Sequence, residues 1–350
     1  MTPIAPITRM NRFRPFLHMA AAFSLFVLPY MAQAGSPYHL LKEIPIGGDG
    51  GWDYLSVDPA AHRLYVTHAT KLVVIDLTKD EVVGEIADTP GVHGFAIASQ
   101  LHRGFASNGK EAKVSVVDLE TLKTISKVET GENPDAILYE AGRREVYAFN
   151  GRGKSVTVFE ASSGTIVATI PLSGKPEFAA SDPAAGRVYC NIEDKNEVAV
   201  IDTKRHEVVN SWPIAPGESA SGMALDQEHH RLFIGCHNKM MVTMDSTNGR
   251  VVAQTPIGEG VDANAFDAGT QLAFSSCGEG KVTIVHEDTP DKVTVVQTLT
   301  TEPRARTMAL DPATHRIYLA SAQFAPPSDP KSRPQVIAGT LKILVFEMEK

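Results

Sequence analysis

The chain has 350 residues, of which 43% are hydrophobic and 21% are charged, and its formal net charge is −8 with histidine neutral. This composition is typical of a globular protein and excludes a disordered or fibrous one. The acidic balance disfavours a general nucleic-acid-binding surface, which needs a basic footprint, and leaves a local basic patch open.

The N-terminal segment carries export signals. Arg9, Arg12 and Arg14 precede the apolar run "PFLHMAAAFSLFVLPY", and an Ala-Gln-Ala sequence ends at Ala34. This order predicts a secretory signal peptide over residues 1–34, cleaved after Ala34. The run is short for a membrane anchor, and no later segment is apolar enough to span a membrane. We therefore expect a periplasmic or secreted protein whose mature chain has 30 basic and 41 acidic residues.

The remainder of the chain repeats one pattern. The segment "DPAAHRLYVTH" at Asp58–His68 returns as "DPATHRIYLAS" at Asp311–Ser321. Each repeat reads as an apolar strand ending at an acidic turn, an aromatic strand, a β-branched strand ending in an acid, and a fourth strand before a Gly/Pro loop. The aromatics lie 40 to 44 residues apart, at Tyr65, Phe105, Tyr147, Tyr189, Phe233, Phe274 and Tyr318.

Seven four-stranded units of about 42 residues predict one all-β domain over residues 35–350, a seven-bladed β-propeller with four antiparallel strands per blade. The seventh unit stops after its third strand, "LKILVFEME", whereas the N-terminal "YHLLKEIPIGGDG" has the fourth-strand pattern. The N-terminal strand is therefore expected to complete the last blade, which removes unpaired sheet edges. Histidines that recur with the repeat are expected at turns on the opposite surface, at His62, His102, His230 and His315.

The segments "YVTH", "VVIDLTKDEVVGEI" and "SVVDLETLKTISKVETGENP" resemble the YVTN-repeat family of seven-bladed β-propeller proteins. The resemblance covers residues 38–350 and implies the same fold. Related propellers include binding proteins, surface-layer modules, lactonases, lyases and parts of redox enzymes. The resemblance therefore leaves the activity open.

Polar residues at the start of the first strands form the first candidate site, around the axial funnel. They lie five residues before each turn acid, at Asp53, His93, Asp135, Glu177, Ser221, Asp262 and Arg306. Oxygen ligands from Asp135, Glu177 and Asp262 could hold a divalent cation such as Ca²⁺ or Mg²⁺. Such an ion could polarise a lactone carbonyl while His93 or His68 moves a proton. Alternatively, the acids accept backbone hydrogen bonds or pair with Arg306.

A second ring lies at the ends of the second strands, on the same face. The family motif ends in Asn there, but this chain has His68, Cys236, Cys277 and Ser321 at four of the positions. With the adjacent His237, the first three could form a copper site. Neighbouring blades pack about 10 Å apart, which exceeds disulfide reach. Three cysteines are an odd number, so we expect at least one thiol to be free unless it pairs between chains, and we expect Cys190 to be a core thiol.

A long loop interrupts the seventh unit alone, "SAQFAPPSDPKSRPQVIAGT" at residues 321–340. Its proline content favours an extended conformation. It is either a lid that presents Phe324 to a ligand or a disordered insertion. Trp52 is either a stacking surface at the funnel mouth or a plug.

From these observations we expect a monomeric binding protein whose funnel face takes a small ligand or a protein partner. The alternative is a metal-dependent hydrolase or lyase of lactone-like substrates in the same funnel. A nucleic-acid-binding propeller ranks third because of the charge. We expect no haem, since no Cys-x-x-Cys-His motif occurs, and no nucleotide, since no Gly-rich phosphate loop occurs. The expected ligand-binding residues are Asp53, His68, His93, Asp135, Glu177, His237, Asp262 and Arg306.

Overall fold

A computed structural model describes residues 1–3, 37–326 and 334–349 of the chain. The predicted signal peptide, residues 1–34, lies outside the described residues apart from its first three, so export stays a prediction. The chain divides into two compact units, Met1–Gln33 and Ala34–Lys350, and the second contains every described strand.

The described strands form seven four-stranded antiparallel sheets, the blades of a β-propeller. Blade 1 contains β2 (Trp52–Asp58), β3 (Arg63–His68), β4 (Lys71–Asp76) and β5 (Glu81–Ile86). Blade 2 contains β6 (Val92–Ala98), β7 (Arg103–Asn108), β8 (Lys113–Asp118) and β9 (Lys123–Glu129). Blade 3 contains β10 (Pro134–Glu140), β11 (Glu145–Asn150), β12 (Ser155–Glu160) and β13 (Ile166–Pro171). Blade 4 contains β14 (Pro176–Asp182), β15 (Arg187–Ile192), β16 (Glu197–Asp202) and β17 (Glu207–Pro213).

The remaining blades follow the same order until the last. Blade 5 contains β18 (Ala220–Asp226), β19 (Arg231–Cys236), β20 (Met240–Asp245) and β21 (Val251–Pro256). Blade 6 contains β22 (Val261–Asp267), β23 (Leu272–Cys277), β24 (Lys281–Thr289) and β25 (Lys292–Thr300). Blade 7 contains β26 (Met308–Asp311), β27 (Arg316–Ser321), β28 (Lys342–Met348) and the N-terminal β1 (Tyr38–Pro45). Among the described residues the helical segments are two 3₁₀ turns, Ser99–Leu101 and Glu193–Lys195.

The first strand of each blade contacts the first strands of both neighbouring blades, so β2, β6, β10, β14, β18, β22 and β26 form a closed ring around the axis. Closure of blade 7 is as the sequence predicts. β1 pairs antiparallel with β28, with Ile44 opposite Ile343. The Tyr38 hydroxyl donates a hydrogen bond of 2.6 Å to the His315 carbonyl oxygen, and Ile44 is buried. The N-terminal strand β1 is therefore the fourth strand of blade 7, next to β28.

The repeated residues build turns and core. Each aromatic of the second strands is at most 2% exposed, and burial of such a side chain contributes roughly 1.5–3 kcal/mol. In every blade except blade 2, which has Ala98 at this place, the turn before the second strand begins with an acid whose carboxylate accepts backbone N–H groups, as Asp58 does from Ala60 and Ala61 at 3.2 Å. The recurring histidines confirm the turn prediction, since all adopt a left-handed φ of 51° to 59°, at His62, His102, His230 and His315.

The antiparallel strands give the propeller two faces. The funnel face carries the starts of the first strands and the ends of the second, as the pairing of Trp52 with His68 shows. The opposite face carries the turn acids, as the pairing of Asp58 with Arg63 shows. No helix among the described residues is long and apolar enough to cross a membrane.

Candidate functional site

A β-bulge at the start of the first strand aims the funnel-ring side chains. In blades 1 to 6 the pairing of the first strand with the second shifts register directly after the strand's first residue, as between Trp52 and Leu55 or between Pro134 and Ile137. A bulge of this kind bends a strand and redirects a side chain out of the regular alternation. In each of these six first strands, the second residue is the member of the predicted ring.

Three members of that ring meet, and we call Asp53, His93 and Asp135 the funnel triad. His93 Nδ1 lies 2.7 Å from Asp53 Oδ2, in hydrogen-bonding geometry, and 3.7 Å from Asp135 Oδ1. All three side chains are partly exposed. Burial lowers the pKa of His93, but the hydrogen bond to Asp53 and the charge of Asp135 outweigh it, so the net shift of this pKa is upward. The triad therefore favours a protonated imidazole between two carboxylates.

The other two ring carboxylates have cationic partners. Lys175 forms an ion pair with Glu177 and lies 2.7 Å from Glu193, and Arg306 Nε lies 3.3 Å from Asp262 Oδ2. The sequence grouped Asp135, Glu177 and Asp262 as possible metal ligands. Instead, the structure places ligand atoms of Asp53, His93 and Asp135 within 4.8 Å of one another.

The ring carboxyl groups are poorly solvated. Burial is the main cause that raises the pKa of Asp135 and of Asp262 to about 6, and the charge of Asp53 adds to both shifts. Burial likewise raises the pKa of Glu177 to about 7, with Asp135 contributing. These raised pKa values indicate a negative electrostatic potential at the axis, which a bound cation would neutralise.

Tyr54 and Phe178 lie beside these carboxylates, with ring centroids 5.2 Å apart. Burial raises the pKa of Tyr54 well above its ordinary value, and all four ring carboxylates add to the shift. The pair lines a small axial cavity of about 170 Å³. The sequence analysis missed Tyr54, although its position next to a bulged ring residue was a usable signal.

A larger pocket, of about 820 Å³, also lies on the funnel face. Its lining includes two residues predicted for the site, His237 and Arg306, and the blade-seven loop supplies Phe324. The Phe324 ring lies 6.0 Å from Trp52, and the Arg304 guanidinium lies 4.7 Å above its face. The described ends of the loop therefore place Phe324 at the pocket, while residues 327–333 lie outside the described residues.

His68 lies apart from the funnel triad. It is 1% exposed and neither ring nitrogen has a hydrogen-bond partner. It packs beneath the glycine-rich loop before β2, where a Cβ on Gly48 would stand 2.8 Å from its Cε1 atom. Burial, followed by the charge of Lys71, lowers the pKa of His68. The corresponding Ser321 of blade 7 donates a 2.6 Å hydrogen bond to Glu302 instead.

The thiol groups do not support the copper arrangement. Cys190, Cys236 and Cys277 are free and fully buried. Burial raises the pKa of Cys236 and of Cys277 to about 12, so neither thiol is ionised near neutrality. His237 is exposed on the funnel face. Neither of the two side-chain clusters among the described residues that could hold a metal ion contains a cysteine.

Comparison with known proteins supports the fold and a distant relationship. No protein-family model matches the chain. Two proteins described as uncharacterized protein YncE match over 148 residues: that of Salmonella typhi at 25% identity and that of Salmonella typhimurium strain LT2 at 24%. The match covers 41% of this chain and 42% of either relative, so the chain spans less than half of their length.

Among solved structures, a chain in the crystal structure of a mitotic checkpoint complex superposes with a TM-score of 0.74 and 12% identity, over 98% of this chain and 99% of that one. At such low identity the match carries the fold alone. The chain is therefore a seven-bladed β-propeller with weak similarity to YncE.

Proposed function

We propose that this protein is an exported binding protein of the YVTN-repeat type whose funnel face takes a positively charged small ligand. One observation carries the proposal. Among the described residues, Asp53 and Asp135 form salt bridges with no lysine or arginine, and their partner is His93 alone. The cations nearby are engaged elsewhere, since Lys175 pairs with Glu177 and Arg306 with Asp262. Within the part of the chain that the structure describes, the funnel triad thus has negative charge that no salt bridge to a permanent cation neutralises.

The neighbouring pocket suits the remainder of such a ligand. Arg306 connects the two regions, because it lines the pocket and pairs with a ring carboxylate. Trp52 and Phe324 offer aromatic surface, which binds apolar groups and the faces of organic cations. A volume of about 820 Å³ is in the range of small-molecule sites. We therefore favour an amine-bearing small molecule over a protein partner, and binding by the monomer.

A second candidate function is favoured by the same triad. An imidazole and two carboxylates with ligand atoms within 4.8 Å of one another could hold a divalent cation. That ion would polarise a lactone or similar ester, which is the hydrolase or lyase alternative. Nucleic-acid binding ranks below both, since the funnel is acidic and phosphates would be repelled.

Calorimetric titration of the untagged protein tests the proposal. The probes are spermidine and, separately, Ca²⁺, Mg²⁺ and Zn²⁺. We expect saturable spermidine binding that the double variant Asp53→Asn/Asp135→Asn weakens at least tenfold. The control is Glu120→Gln, which removes an exposed carboxylate on the opposite face. If the double variant binds spermidine as the wild type does, the proposal is wrong. Triad-dependent binding of a divalent ion together with lactone hydrolysis would establish the enzyme instead.

A further inference from the structure

Three side chains meet on the opposite face, between blades 5 and 6, far along the chain from the funnel triad. We call Asp226, His229 and Glu287 the rim cluster. His229 Nδ1 lies 2.7 Å from Asp226 Oδ2 and 3.5 Å from Glu287 Oε2. Asp226 is 1% exposed and Glu287 is 4% exposed, while the His229 side chain keeps about a third of its surface open. Two carboxylates are thus buried against one imidazole that reaches solvent.

The internal repeat shows that Glu287 is out of place. Its backbone N–H donates to the carbonyl oxygen of Gln271, the left-handed residue before the second strand. Five other blades make the same hydrogen bond, and in each of them the donor residue is uncharged. These equivalent residues are Leu77, Leu119, Ala161, Thr203 and Ser246. A buried carboxylate at a position that the fold fills with apolar or small side chains needs a separate explanation.

His229 departs from the repeat as well. It precedes the left-handed His230, and the residues at the same place in the other blades carry no imidazole. Those residues are Ala61, Leu101, Arg143, Ala185, Thr270 and Thr314. The two departures occur in adjacent blades, and the structure brings them together at Asp226, the turn acid that ends the first strand of blade 5. Two independent substitutions that converge on one point indicate a shared role rather than a packing requirement.

None of the contacts within the cluster has regular hydrogen-bonding geometry, although His229 Nδ1 lies 2.7 Å from Asp226 Oδ2. Both carboxylate oxygens of Glu287, Oδ2 of Asp226 and Nδ1 of His229 are buried, and none has a partner in that geometry among the described residues. Arg231, opposite Asp226 in the strand pairing, directs its guanidinium to Asp291 at 2.7 Å and to the Pro290 carbonyl oxygen. Leaving such groups unpaired is costly. The three groups therefore converge on one space, where no contact between described residues has regular hydrogen-bonding geometry.

The neighbouring blade interface provides the contrast. There the turn acid Asp267 is equally buried, and His315 Nδ1 lies 2.6 Å from its Oδ2 in regular hydrogen-bonding geometry. No second carboxylate faces that pair among the described residues, since blade 7 has Met348, the last residue of β28, at the place that Glu287 takes in blade 6. An Asp–His pair alone is a satisfied structural contact. The added Glu287 and the loss of hydrogen-bonding geometry distinguish the rim cluster.

We propose that Asp226, His229 and Glu287 bind a divalent transition-metal ion of the Zn²⁺ type that links blades 5 and 6. Ligand atoms about 2.0–2.2 Å from such an ion lie roughly 3 Å from one another, close to the separations found here. One imidazole nitrogen with two carboxylate oxygens suits Zn²⁺ or Mn²⁺ better than Ca²⁺ or Mg²⁺, which take oxygen ligands. The open side of His229 leaves a position for water. The ion cancels the charge of two buried carboxylates, which explains their place in the core.

Zinc binding by chelator-treated, untagged full-length protein tests the inference. Equilibrium dialysis against Zn²⁺ followed by elemental analysis gives the stoichiometry, and the thermal midpoint is recorded with and without Zn²⁺. We expect Glu287→Gln to hold one Zn²⁺ fewer than the wild type. The wild-type midpoint should rise by about 5 °C at a free Zn²⁺ concentration roughly a hundredfold above Kd, and the variant midpoint should not respond.

Two controls locate the effect. His315→Gln alters the neighbouring Asp–His pair and Asp53→Asn/Asp135→Asn alters the funnel triad, and both should keep the rim zinc and its thermal shift. Glu287→Ser repeats the test with the residue that blade 5 carries at the equivalent place, Ser246, in case the amide disturbs folding. The inference is overturned if the wild type takes up no Zn²⁺ or Mn²⁺, or if both Glu287 variants keep the full stoichiometry and thermal shift.

Discussion

The funnel triad and the rim cluster contain the same groups, one histidine and two carboxylates, in different surroundings. The funnel triad lies at positions where the repeat places polar residues in nearly every blade, and its side chains reach solvent. The rim cluster lies where the repeat places uncharged residues, and its carboxylates are buried. In the funnel, His93 makes a hydrogen bond to Asp53, whereas His229 makes none in regular geometry.

The comparison shows that burial determines what a cluster of one histidine and two carboxylates can do. Water can satisfy the funnel carboxylates until a ligand replaces it, so that cluster suits reversible binding. Water reaches the rim carboxylates poorly, so charges there need a fixed partner. The pKa of Glu287 rises to about 7, chiefly through burial and then through Asp226. We therefore assign exchange with a ligand to the funnel and permanent occupancy to the rim.

Removing the histidine from each cluster should separate them most strongly. In chelator-treated protein at pH 6, His229→Ala should lower the free energy of unfolding by about 3 kcal/mol, because it leaves the buried Asp226 carboxylate without its counter-charge, beside a Glu287 whose raised pKa keeps it largely protonated at this pH. His93→Ala should lower it by at most about 1 kcal/mol, because the Asp53 and Asp135 side chains keep part of their surface in water. Urea unfolding measures both. Equal losses would contradict the distinction between the clusters.

A pH series should expose the funnel carboxylates. Since the folded-state pKa of Asp262 is raised to about 6, its stabilising contribution is complete below about pH 4 and is lost as the pH rises through 6. Partial exposure limits the loss to about 1–2 kcal/mol. Between pH 4 and pH 7, the free energy of unfolding of Asp262→Asn should fall by about 1–2 kcal/mol less than that of the wild type. The free energy of unfolding of Glu120→Gln should fall by as much as that of the wild type. An unchanged slope in Asp262→Asn would argue against a poorly solvated carboxyl group.

The aromatic side of the pocket should affect binding more than stability. Phe324→Ala removes the ring that packs near Trp52 and beneath Arg304, so ligand affinity should fall about fivefold to tenfold. Stability should change by less than about 1 kcal/mol. The chain has two tryptophans, so a Trp212→Phe background makes Trp52 fluorescence a direct reporter. Undiminished affinity would remove Phe324 from the site.

His237→Ala should have the smallest effect on stability. This side chain is exposed at the pocket rim, so the free energy of unfolding should stay within about 0.5 kcal/mol of the wild type. Spermidine affinity should fall by about twofold, measured by the same titration. A large loss of stability would show that His237 supports the fold and is not merely an exposed residue at the edge of the pocket.

The fold could be predicted from the sequence alone. Strand alternation, acidic turns and buried aromatics act between residues close along the chain, so a period of about 42 residues was enough to predict seven blades and closure by the N-terminal strand. The sequence also placed Asp53, His93 and Asp135 on one ring, because equivalent positions in a propeller face one axis. The residue pattern alone could not decide which ring members touch.

The contacts between side chains of different blades became visible only in the three-dimensional structure. It assigned Lys175 to Glu177 and Arg306 to Asp262, buried His68 under a loop, and brought His229 to Glu287 of the next blade. Contacts between blades depend on how two sheets pack and on which side chain reaches across, and local pattern carries neither. The departure of Glu287 from an otherwise uncharged position was readable in the sequence, but its burial beside Asp226 required the assembled ring.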